Sequence, residues 1–147
     1  MSTNIDLRTT FNQDADGYHA GRPRYPDRLF DDLVQKTHLQ DSARLLEIGP
    51  GTGQATQAIA QRGYQIVAVE LGANLAKYAQ KVLGDYPNVQ VLNTSFEAVD
   101  LAPNTFDLVY SATAFHWIEP DVQFQKPHKL LKSGGALGDH SHASCFR

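Results

Sequence analysis

The stretch Leu45 to Gly53, Leu-Leu-Glu-Ile-Gly-Pro-Gly-Thr-Gly, limits what this chain can fold into more than any other. An apolar run ends in an acid and then breaks into glycines at 49, 51 and 53. Such a run reads as a buried strand feeding a tight turn, because glycine alone accepts positive φ freely and lets a ligand lie against the main chain. A helix predicted over 54–62 would aim its free N-terminal amides at whatever the turn holds. The turn is therefore a ligand cradle. It is not the dinucleotide fingerprint G-x-G-x-x-G, which needs a glycine where this chain has Gln54.

The rest of the chain alternates in the same way. Pro26 opens a helix reaching about Thr37, with Leu29, Phe30, Leu33 and Val34 at helical spacing. After the cradle helix, which Gly63 ends, Gln65 to Glu70 reads as a nearly all-apolar parallel strand. In a doubly wound sheet the acid at its tip lies beside the first turn, where a carboxylate accepts hydrogen bonds from both hydroxyls of a ribose. A helix around Leu75 to Leu83, a third strand over 89–92 and a fourth over 106–111 follow. This is an α/β pattern of the Rossmann-like, doubly wound, mostly parallel kind.

Glu47-x-Gly49-x-Gly51-x-Gly53, with the acid two places before the first glycine, resembles the first motif of class I S-adenosylmethionine-dependent methyltransferases. Tyr18 followed by Arg22-Pro23-Arg24-Tyr25-Pro26 is similar to the cover segment of the trans-aconitate methyltransferase-like group, and His116-Trp117 to an aromatic pair found in many of these enzymes. The resemblance runs from about Tyr18 to Gly135. It implies S-adenosylmethionine as cofactor, with Glu47 near the methionine part, Gly49, Gly51 and Gly53 beneath it, and Glu70 on the ribose. It further implies Leu71 against the adenine, Ser95 and Phe96 at its polar edge, and Ser111 and Ala112 as small residues that let the methionine part approach. Ser95 stands where many relatives carry an acid, so its hydroxyl would accept the adenine hydrogen bond more weakly. Tyr18 and Arg22 would close the site. His116 or His19 would serve as general base where the acceptor is protonated, although the His116-Trp117 pair equally suits core packing. Asp107, at the far end of the fourth strand, is expected to be structural.

At 147 residues the chain fits one domain, read as a polar N-terminal segment over 1–16, a cofactor-binding domain over 17–135 and a polar tail over 136–147. A helix is expected over 118–132, kinked or started late by Pro127, before a turn resembling the family's entry into a fifth strand. Residues 136–147 do not read as that strand. The expectation is a sheet incomplete at the C-terminus, with the strands after the fourth or fifth missing, from a truncated or frame-shifted longer enzyme whose open apolar edge drives dimerisation or aggregation. Asp139, His140, His142 and Cys145 carry metal-ligating groups, but nothing else in the sequence supplies a second shell, and no metal is assigned.

A net charge of −3 gives no excess of positive charge for nucleic acid, and no apolar run approaches a membrane span. The single cysteine makes a reducing cytoplasm the default compartment. The reading is methyl transfer to a small-molecule acceptor by in-line displacement. Its alternatives are a cofactor-binding fragment without activity and, disfavoured by Gln54, an NAD-dependent oxidoreductase.

Overall fold

The computed structural model describes residues 27–111, 118–139 and 143–145. In chain order the described elements are α1 (Asp27–Thr37), β1 (Arg44–Ile48), α2 (Gln54–Ala60), β2 (Gln65–Val69), α3 (Ala73–Val82), β3 (Val89–Leu92), β4 (Phe106–Ser111), α4 (Pro120–Gln123), α5 (Gln125–Leu130), β5 (Leu131–Asp139) and β6 (Ala143–Cys145). The strands form one sheet in the order β3-β2-β1-β4-β5-β6, parallel from β3 to β5, with β6 antiparallel to β5. The order reverses between β1 and β4. Ligands of open α/β sheets bind at the carboxyl ends of strands flanking such a reversal.

Successive side chains of each strand enter opposite faces, and each face has its own core. Leu45, Ile66, Leu108, Tyr110 and Ala136 pack with Phe30 of α1 and Ala55 and Ile59 of α2. Leu46, Val69, Val109 and Leu137 pack on the other face with Phe96, Ile118 and Leu130. With apolar cover on both faces the central strands read as continuous hydrophobic runs, which is why the sequence exposes them so clearly.

The helix ends follow local chemistry. His38 takes φ 55° just past α1, and Leu39 N donates to Val34 O at 3.3 Å, the six-to-one bond that closes a helix through a left-handed residue. Pro127 has no N–H for the carbonyl one turn back, and its ring crowds that carbonyl. The predicted single helix is accordingly broken at Phe124 (φ −113°, ψ −33°), which leaves Pro127 in the first turn of α5, where a missing N–H costs nothing.

The fifth strand, as which residues 136–147 do not read, is present. β5 pairs with β4 from Phe106↔Leu131 and resumes at Leu108↔Ala136, so Lys132 to Gly135 form an irregular excursion within the strand. Gly134 supplies φ 83° for it. Ala136 and Leu137 then bury on opposite faces, and at Gly138 a Cβ would come within 3.1 Å of Leu33 Cδ1. The residues look unlike a strand because they are small where α1 crowds the sheet. Residues 136–139 thus belong to the sheet rather than to a separate tail, and β5 and β6 cover the edge of β4 expected to lie open. His140 and His142 lie outside the described residues, as do the side chains of Asp139 and Cys145.

His38 is exposed and carries a Cβ in a conformation that costs an L-residue roughly 1 kcal/mol. His38→Gly should therefore raise stability by about 0.5–1 kcal/mol in thermal or denaturant unfolding. A destabilised variant would show that the imidazole makes a contact outweighing the backbone relief.

Candidate functional site

At the sheet reversal β1 delivers its last residues into the glycine turn, and β2 ends beside it. Gly49 N donates to Val69 O at 2.9 Å, which carries the β1–β2 ladder into the turn. Gly49, Gly51 and Gly53 have φ of 69°, 59° and 91°. At Gly53 a Cβ would combine that φ with a 3.2 Å approach to Leu83 Cδ1. Its carbonyl accepts from Gln57 N at 2.8 Å and starts α2.

Glu70 holds two loops together. Gly51 N donates to its Oε1 and Gly72 N to its Oε2, both at 2.9 Å, so one carboxylate ties the turn after β1 to the turn after β2. Asn93, at the end of β3, donates from Nδ2 to the carbonyls of Glu70 (2.9 Å) and Leu71 (3.1 Å), fixing the same segment from the other side. The acid is 8% exposed. The two backbone amides orient the carboxylate between both turns.

Glu47 is wholly buried near the end of β1. Thr56 Oγ1 from α2 and Tyr110 OH from β4 (3.1 Å) both donate to its Oε1, while Oε2 has no hydrogen-bond partner among the described residues. Burial pushes the carboxyl up to about 7. The two hydroxyls oppose that rise and the charge of Glu70 adds to it. Burial likewise raises the Tyr110 phenol, helped by Glu47. An acid kept at the edge of ionisation in a dry site suits a cationic partner.

The residues expected at the adenine edge have structural duties as well. Ser95 Oγ accepts from Ala98 N at 3.0 Å and so caps the turn that follows. Phe96 is only 1% exposed and packs in the core, with Lys126 Nζ 5.3 Å from its ring centre. Lys126 also donates to the carbonyls of Glu97 (3.3 Å) and Val99 (2.5 Å), and burial lowers its pKa. Leu71 is half-buried at the tip of β2, and Ser111 is buried at the end of β4. At the opposite edge of the sheet Asp107 Oδ2 accepts from Arg44 N at 2.9 Å and lies 3.4 Å from Lys132 Nζ, the structural placement expected for it. Tyr18, His19, Arg22, Ala112 and His116 lie outside the described residues.

Sequence reading missed Thr56, Gly72, Asn93 and Tyr110. Thr56 alone left a trace, as a polar residue amid the small and apolar residues of a helix pressed on the sheet. The others act through contacts that no local spacing encodes.

The raised carboxyl has a consequence for stability. In the unfolded chain Glu47 ionises near its ordinary 4.5 and in the folded chain near 7, so between these pH values the unfolded state has released a proton that the folded state retains. Stability contributed by this group therefore falls as pH rises through that window, and above it the whole penalty applies, on the order of 3 kcal/mol. Glu47→Gln should stabilise the unliganded chain at pH 8, with a gain that shrinks towards pH 4.5. Melting temperatures across that range check this, and a gain independent of pH would contradict it.

Comparison with known proteins agrees with this geometry. Residues 46–138 match the family described as methyltransferase domain. A methyltransferase-like protein of Schizosaccharomyces pombe, C25B8.10, is 32% identical over 139 residues, covering 94% of this chain and 53% of its own length. The chain spans about half the length of curated relatives that it matches. Among solved structures, the [4+2]-cyclase SpnF superposes with a TM-score of 0.80 at 22% identity, over 94% of this chain and 60% of that one. A phosphoethanolamine N-methyltransferase of Haemonchus contortus, solved with phosphomonomethylethanolamine and S-adenosylhomocysteine, gives 0.74 at 22% identity, over 91% and 34%. At these identities the superpositions establish the fold, and the match over residues 46–138 establishes the family. The chain belongs to the methyltransferase domain family, with the Rossmann-like fold of class I S-adenosylmethionine-dependent methyltransferases.

Proposed function

We infer that this domain binds S-adenosylmethionine across the carboxyl ends of β1, β2 and β4 and takes part in methyl transfer to a small-molecule acceptor. The observation that carries the reading is the Glu70 carboxylate, oriented by the amides of Gly51 and Gly72 at the sheet reversal. The residues present fit the cofactor. Glu70 is placed for a ribose diol, and the bare backbone of Gly49, Gly51 and Gly53 allows close approach. Glu47 supplies a buried acid for the amino end, and Leu71 an apolar surface at the tip of β2.

When bound, the cofactor supplies a sulfonium-activated methyl group, whose displacement requires a nucleophile held in line with it. The protein's share is alignment and exclusion of water. Glu70 and the glycine turn set the position of the nucleoside end, and Glu47 that of the amino end. In this reading Ser95 and Phe96 border the adenine, Ser111 and Ala112 flank the methionine part, and Tyr18 and Arg22 close over it. His116 or His19 takes a proton from an acceptor that needs to lose one.

The balance of −3 disfavours nucleic acid as the acceptor, and the lone cysteine favours a cytoplasmic setting. No described helix is long and apolar enough to cross a membrane. Pairing of two copies can no longer rest on an open edge at β4; in the described sheet it would use β3 or β6. Fold alone does not fix the reaction, as a cyclase of the same architecture shows. Cofactor binding without turnover therefore stays as the second reading.

Titration calorimetry should show S-adenosylhomocysteine binding and no comparable binding of NAD. Glu70→Gln places an amide –NH2 against a backbone N–H and removes the charge, so it should weaken S-adenosylhomocysteine at least about 30-fold. Transfer of labelled methyl to candidate acceptors then separates an active domain from a silent one. A folded chain that binds neither S-adenosylmethionine nor S-adenosylhomocysteine would overturn the assignment.

A further inference from the structure

Glu47 stands out as a buried acid that forms no ion pair among the described residues. Thr56 from α2 and Tyr110 from β4 face it with hydroxyls, and Glu70 beyond β2 adds a like charge through space. Both hydroxyls donate to the same oxygen, Oε1, which divides the carboxyl into a tethered atom and an unpartnered one.

We propose that Tyr110 and Thr56 are positioning residues: they fix Glu47 through Oε1 so that Oε2 accepts from the cationic amino end of the bound cofactor, and the carboxyl loses one proton as that end docks. In the exchange the carboxyl O–H bond breaks and the proton passes to the buffer. The ligand's ammonium then becomes the counter-ion of the carboxylate. The inference rests on the cofactor assignment above and adds to it a pair of residues and a proton.

Burial supports the exchange, because it holds the unliganded carboxyl up to about 7, where a fixed cation would favour ionisation. A hydroxyl donating to a carboxylate stabilises its charged form, so removing one raises the pH at which the acid ionises. Tyr110→Phe deletes that donor and keeps the ring, which belongs to the same core as Leu45, Leu108 and Ala136.

The test compares S-adenosylhomocysteine with 5′-methylthioadenosine, which keeps the adenosine and thioether but lacks the amino-acid end. Affinity of the wild-type chain for S-adenosylhomocysteine should rise about tenfold from pH 6 to pH 8, while that for methylthioadenosine stays flat. Calorimetry at pH 6 in buffers of different ionisation enthalpy should report about one proton released per S-adenosylhomocysteine bound. Tyr110→Phe should weaken S-adenosylhomocysteine about tenfold and move its pH profile upward, with methylthioadenosine unchanged. Glu47→Gln should abolish the pH dependence. Equal weakening of both ligands by Tyr110→Phe would reduce Tyr110 to a packing residue and overturn the proposal, as would a flat wild-type profile with both ligands bound. If the wild-type chain binds neither ligand, the cofactor assignment itself fails and takes the proposal with it.

Discussion

Two backbone amides meeting one carboxylate hold this site in shape. Gly51 lies after β1 and Gly72 after β2, and the Glu70 carboxylate between them joins the two loops side by side. The parallel pairing of β1 with β2 brings the loops to the same edge, and the carboxylate turns proximity into a fixed geometry. Parallel neighbours need a long crossover between them, which α2 supplies from β1 to β2 and α3 from β2 to β3. A side chain at Gly53 would be strained by its φ of 91° and would press on Leu83, which ties the loop to the packing of α3.

The second acid works against the fold. Glu47 occupies a core position on the β1 face shared with Leu45, and burial there disfavours its charge. Two hydroxyls offset part of the cost without supplying a counter-charge. The two carboxylates at the sheet reversal therefore differ: one is held by backbone amides, the other kept dry.

Much of this was legible in the residues. The apolar runs at 44–48, 65–69 and 106–111 became β1, β2 and β4, because central parallel strands are covered on both faces and write that cover into composition. The Gly49–Gly53 turn and the tip position of Glu70 were legible for the same local reason. Pro127 foretold a break, and it falls at Phe124, three residues earlier, which leaves the proline in the first turn of α5. β5 was illegible. Its Lys-Ser-Gly-Gly segment looks like a turn and serves as an excursion inside a strand, and Gly138 looks like a breaker and is small because Leu33 of α1 fills the space above it.

The order of strands and helices, the glycine turn and the two acids were settled by the amino-acid sequence, because each depends on periodicity or spacing within a few residues of itself. The partners of those acids were settled only by the folded chain. Tyr110 lies 63 residues from Glu47, and Gly51 lies 19 from the Glu70 that receives its amide. Such pairs are made by sheet order and register, and a hydrogen bond acts over about 3 Å of space whatever the length of chain between its ends.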